Sequence, residues 1–150
     1  RQDLPPLDRT ALGPAAGLRR GGYVLKEASG GAGTARLILI ASGSEISVAL
    51  QAAGQLEVGG TPTRVVSLPC WELFEAQPRA YRDEVLPPAV TARVAVEAAS
   101  PFGWERYVGF RGRVVGMPRF GASAPAEVLG EKFGFTAGNV VQVALEVLGG

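Results

Sequence analysis

The turn Ser42-Gly43-Ser44-Glu45 is the stretch of this sequence best suited to holding a ligand. It follows the apolar run Leu37-Ile38-Leu39-Ile40-Ala41 and opens a helical pattern. Unpaired backbone N–H groups therefore face outward from its start, where they suit a phosphate or carboxylate. Every helix start has such donors, however. Ser42 with Glu45 three residues on reads as a capping box that uses some of them, and Gly43 allows the tight turn. Glu97 is the second candidate, because a strand C-terminus is where ligands bind in open parallel sheets. A hydrogen bond to a loop amide or an arginine is its plain alternative. Nothing else completes a catalytic set. The chain has no histidine, the usual general base and metal ligand, and one cysteine. Cys70, Ser44 and Ser123 thus lack a base to activate them. The 14 acidic residues fall in no metal-ligand or paired-carboxylate spacing, and no G-x-G-x-x-G follows a strand. Trp71 and Trp104 read as packing or interface anchors rather than ligand platforms.

These residues need a scaffold, and the hydrophobic patterning supplies one. Leu37 to Ala41 is continuous and apolar, as expected of a central parallel strand covered on both faces. Ile46, Ala49, Leu50, Ala53 and Leu56 then form one helical stripe, which Gly59-Gly60 ends. Arg64 to Leu68 is the next strand, so residues 36–68 form a βαβ unit. Further along, Trp71 to Phe74 reads as a short helical turn. Pro78 at a first helical position opens a helix to Val85, and Ala92 to Glu97 is a third strand. Trp104 to Val108 is a short helix and Arg113 to Met117 a fourth, shorter strand. Pro125 opens a helix to Lys132, capped at Ser123 or Ala124. Thr136 caps the last helix, with stripe Val140, Val141, Ala144, Leu145 and Leu148. Before this set, residues 1–22 read as an extended linker without periodicity, followed by a short strand, Tyr23 to Glu27. Ser29 to Gly33 is a glycine-rich turn and not a phosphate loop, since a strand follows it. Alternating strands and helices predict an open, mostly parallel sheet with helices on both faces.

Composition narrows the class of function. At 150 residues, with 47% hydrophobic and 19% charged, the chain is one ordinary globular domain. A net charge of +1 with scattered basic residues argues against a nucleic-acid footprint. The densest basic group, Arg111, Arg113 and Arg119, reads as a solvated sheet edge. No apolar run approaches the roughly 20 residues that span a bilayer. A lone cysteine points to a reducing, cytoplasmic compartment. The opening Arg-Gln-Asp-Leu-Pro-Pro, without an initiator Met, reads as a cut at a domain linker of a longer polypeptide.

Several stretches together resemble the C-terminal domain of transketolase. Arg1-Gln2-Asp3-Leu4 looks like the R-Q-[ND]-L that leaves the family's middle domain. Gly21 to Leu25 looks like the entry to its C-terminal domain, and Ala41 to Glu45 like its A-[TS]-G-S-E turn. Val65 to Pro69, Tyr81 to Pro87, Arg93 to Ala98, Phe120 to Glu127 and Phe133 to Thr136 follow in register. The resemblance implies a three-layer α/β/α fold around a five-stranded mixed, mostly parallel sheet whose first strand is antiparallel. It implies residues 1–22 as the linker from a pyrimidine-binding domain and 23–150 as the C-terminal domain. It further implies a homodimeric enzyme that uses thiamine diphosphate and magnesium or calcium to move a two-carbon ketol unit between sugar phosphates. Cofactor, metal and catalytic residues would lie in the two other domains, and this chain alone would be structural, dimer-supporting and inactive. One site carries over: Arg1 matches the family's arginine that contacts the substrate phosphate. Dihydroxyacetone synthase and deoxyxylulose phosphate synthase share the domain type. A stand-alone module that binds a small anion or nucleotide at Ser42 to Glu45 and Glu97 is the reading of a different class.

Overall fold

The computed structural model describes Leu4 and residues 6–150, without the side chains of residues 126 and 127. Five strands, β1 (Tyr23–Lys26), β2 (Leu37–Ala41), β3 (Thr63–Ser67), β4 (Arg93–Val96) and β5 (Arg113–Val115), form one sheet of order β1-β3-β2-β4-β5. β3, β2, β4 and β5 run parallel, and β1 pairs antiparallel with β3, as the resemblance implied. The apolar run of β2 takes the centre because only a strand with helices on both sides can bury every residue; all five of its residues are buried.

Successive side chains of a strand point to opposite faces, which builds two cores. On one face, Leu37, Leu39, Val65, Val94 and Val96 pack against α1 (Glu45–Val58) and α6 (Ala137–Gly149). On the other, Ile38, Ile40, Val66 and Ala95 pack against α2 (Trp71–Glu75), α3 (Arg79–Val85) and α4 (Glu105–Val108). The result is a three-layer α/β/α domain, with α5 (Ala126–Phe133) leading into α6.

Several expectations are corrected. Residues 15–20 form a 3-10 helix instead of an extended stretch. The segment before β1 is a strap along that strand: Leu7 and Leu12 pack on the core, Gly13 N donates to Leu25 O at 2.7 Å, and Arg9 reaches the Tyr23 hydroxyl at 3.1 Å. Its turn needs Gly21, at φ 78°, because a Cβ there would collide with the Cys70 carbonyl and Phe74 N. Pro78 and Pro125 sit at the N-cap positions of α3 and α5, one residue before the helix, with ψ of 145° and 144°. In α6, Leu145 is 52% exposed and Val147 is buried in its place, because the face turned to α1 follows Val140, Ala144 and Val147. Trp104 is only 2% exposed. Its ring meets Trp71 edge-on at 5.1 Å, so it anchors this domain's own core and no interface.

One polar fastener escaped sequence reading. Arg64 on β3 is 4% exposed and grips Glu27 through two hydrogen bonds of 2.9 Å. It also donates to the carbonyls of Glu84 and Val85 at the end of α3. One guanidinium thereby ties the end of β1 to the far helix layer, and the planar fork satisfies the charge it buries.

Candidate functional site

The chain leaves β2 towards β3 on one side and leaves β4 towards β5 on the other. The crevice between the C-terminal ends of β2 and β4 is thus the topological switch point of the sheet, the usual ligand position in such folds. Ser42 and Glu97, the residues that follow these two strands, meet across it: the Ser42 hydroxyl donates to Glu97 Oε2 at 2.8 Å. The expected capping box is therefore absent. Ser42 contributes only its backbone carbonyl, which accepts from Glu45 N at 3.2 Å. The N-cap of α1 is Ser44, whose backbone is already helical and whose hydroxyl donates to Glu45 Oε1 at 2.7 Å without capping the helix. Gly43, at φ 52°, makes the turn between them.

The electrostatics of the crevice follow from this geometry. Burial pushes the Glu97 carboxyl up from its ordinary value; the Ser42 hydrogen bond opposes that and the nearby Glu45 charge adds to it. Two carboxylates at one helix N-terminus favour a proton, a hydrogen-bond donor or a cation over an anion. The structure thus brings together Ser42, Gly43, Ser44, Glu45 and Glu97, while Arg1 lies outside the described residues. Among the described residues no three His, Cys, Asp or Glu side chains group as metal ligands. Tyr107, the phenol of the α4 core, is held far above neutral by burial and by Glu75, so it moves no proton near pH 7. Cys70 donates to Glu72 at 3.5 Å and meets no base. The crevice is a polar cross-link between the loops that follow β2 and β4.

The edge around it is apolar and open. Phe102, after β4, and Phe120, after β5, are 86% and 98% exposed. Both lie on loops at the C-terminal end of the sheet, and their exposure was not legible from the sequence because an isolated phenylalanine in a loop carries no periodic signal.

Fold and crevice define an α/β/α domain of doubly wound type, its switch-point crevice spanned by the Ser42–Glu97 hydrogen bond. The comparisons specify which. Residues 21–136 match the family described as the transketolase-like TK C-terminal domain, and the chain belongs to that family. It is 48% identical over 149 residues to a transketolase of Geobacillus stearothermophilus, covering 99% of this chain and 22% of that protein. A crystal structure of a transketolase variant from Pichia stipitis superposes with a TM-score of 0.87 at 35% identity, over 99% of this chain and 20% of that one. A split-gene transketolase, solved as an inactive β4 tetramer, matches with a TM-score of 0.66 at 26% identity, over 87% of this chain and 43% of that one. The chain spans about a fifth of the length of the curated relatives it matches.

Proposed function

We propose that this chain serves as the C-terminal domain of a transketolase, an enzyme that moves a two-carbon ketol unit between sugar phosphates. The observation that carries the reading is family membership across nearly the whole chain, combined with a length of only about a fifth of full transketolases. The boundary falls near Gly21, where the strap ends and the family match begins, with residues 1–22 joining a preceding domain.

Thiamine diphosphate and its divalent metal do not fit the residues described here. A diphosphate would face Glu45 and Glu97, and the crevice adds no third metal ligand to them. The cofactor is assigned to the other two domains of a cytoplasmic homodimer. Arg1 is assigned to the substrate phosphate, for which a planar guanidinium fork is well shaped. The contribution of this domain is docking: the exposed Phe102 and Phe120 supply apolar surface that the remainder of the polypeptide would cover. Among the described residues no helix is long and apolar enough to cross a membrane.

The test is a coupled ketol-transfer assay with thiamine diphosphate and magnesium. The full-length polypeptide carrying this chain is expected to turn over, and the 150-residue chain alone to give no rate above background. A full-length protein without thiamine-dependent transfer would remove the reading.

A further inference from the structure

The N-terminal edge of the sheet, at the opposite pole from the Ser42–Glu97 crevice, gathers Arg36, Arg93 and Arg111, with Asp83 the carboxylate that acts on Arg93. Arg93 opens β4 and turns inward, donating to the carbonyls of Val90 at 2.8 Å, Tyr107 at 2.8 Å, Leu86 at 3.1 Å and Pro87 at 2.8 Å. Among the described residues it forms no ion pair. Peptide dipoles solvate its charge without neutralising it. In front of it, two shallow recesses of about 250 Å³ each meet at Thr91 and Arg111. Arg36 and the apolar side chains of Val90, Val147 and Leu148 line the first; Arg93 and Phe110 line the second.

Arg36 and Arg111 are exposed, and among the described residues neither enters an ion pair or a side-chain hydrogen bond. The whole chain carries only +1, so Arg36 and Arg111 beside one threonine, with Arg93 behind them offset in part by Asp83, are a local excess of positive charge. The last turn of α6 brings carbonyl ends to one flank, but its partial charge, about half an elementary unit, offsets less than one guanidinium.

We propose that the recess at Thr91 binds a small oxyanion ligand, a phosphate ester or a carboxylate, between the guanidiniums of Arg36 and Arg111, with its apolar body on Val90, Val147 and Leu148. The planar fork of arginine matches two oxygens of such a group, and an apolar floor beside it selects an ester or an organic acid over the bare ion. The volume lies below the roughly 300–1,000 Å³ of pockets that enclose drug-sized molecules, which sets the ligand small. This site is independent of ketol transfer and stands or falls apart from it.

The probe is phenylphosphonate, titrated calorimetrically into the full-length protein and its Arg36→Gln/Arg111→Gln variant. The wild type is expected to show one site per chain that the double variant weakens by about tenfold or more, as for loss of charge-assisted hydrogen bonds. The melting temperature without probe serves as the control for folding. Thr91→Glu, at an exposed position, places a carboxylate in the middle of the recess and is expected to abolish the same site. Methylphosphonate, which lacks the ring, is expected to bind more weakly than phenylphosphonate. Crystals soaked in the probe are expected to hold the phosphonate between the two guanidiniums. Equal titrations for wild type and both variants overturn the proposal, as does density elsewhere. Binding seen only at crystal concentrations and indifferent to the substitutions marks an adventitious ion only, and overturns it too.

Discussion

Ser42 directs its hydroxyl across the sheet rather than along its own helix, to a Glu97 carboxyl that burial holds above its ordinary pKa against the pull of that bond. A carboxyl whose folded pKa lies above its unfolded value holds its proton more tightly in the fold. Its stability contribution is complete below the ordinary carboxylate range and is lost as pH rises through the raised value. Glu97→Gln keeps an acceptor for Ser42 and removes the charge. Wild type and variant are expected to denature alike in urea at about pH 4, with the variant gaining on the wild type by less than about 1 kcal/mol by about pH 8. A variant that loses stability at the higher pH would show instead that the charged form of the Ser42–Glu97 bond is the stabilising one. The contact joins two loops more than fifty positions apart, so no local pattern announced it. From the sequence, Ser42 and Glu45 had every feature of a capping box, and a long-range partner took the hydroxyl.

Helix α6 shows where local reading succeeds. Thr136 was expected as its cap from residue type alone, and its hydroxyl accepts from Asn139 N at 3.2 Å. Thr136→Ala is expected to lower stability by about 1 kcal/mol in urea denaturation. Ser44→Ala, at a cap position whose hydroxyl bonds Glu45 instead of the backbone, is expected to cost only about a few tenths of that. Equal losses for the two would mean that the hydroxyl of Ser44 caps α1 in solution. The same contrast explains what was legible. The strands were, because β2 is an apolar run and β3 and β4 carry the β-branched pairs Val65-Val66 and Val94-Val96 between turn residues. Which turn of α6 faces inward was not, because Leu145 and Val147 are both apolar and only the angle between α6 and α1 decides between them. Nor was the grip of Arg64 on Glu27, since neither residue carries a mark of its partner.

At the scale of the molecule, the strap before β1 does the work of a missing neighbour strand. β1 pairs with β3 alone, and an uncovered strand edge invites pairing with another chain. Gly13, Leu7 and Leu12 close that edge. A chain shortened to begin at Gly21 is expected to lose about 2 kcal/mol of stability and to self-associate as its concentration rises. Light scattering after gel filtration checks the second effect; a shortened chain that stays monomeric would show that the strap does not guard the edge. Apart from Arg1, residues 1–22 read from the sequence only as a linker, because proline and glycine interrupt any period they might have shown. The exposure of Phe102 and Phe120 was no more legible, since the use of an open loop depends on surface that other residues provide.

The strand order also fixes a timetable. A chain made from its N-terminus releases β1 first, yet its only partner, β3, comes after β2 and α1 have been completed. The β2–α1–β3 unit closes the shorter loop and is favoured to form early, whereas the longer-range β1 pairing comes later. Tyr23 and Leu25, buried in the finished domain, therefore have no strand to pair with until β3 is complete. β1 thus waits for β3, while β4 and β5 join the opposite side of β2 later still.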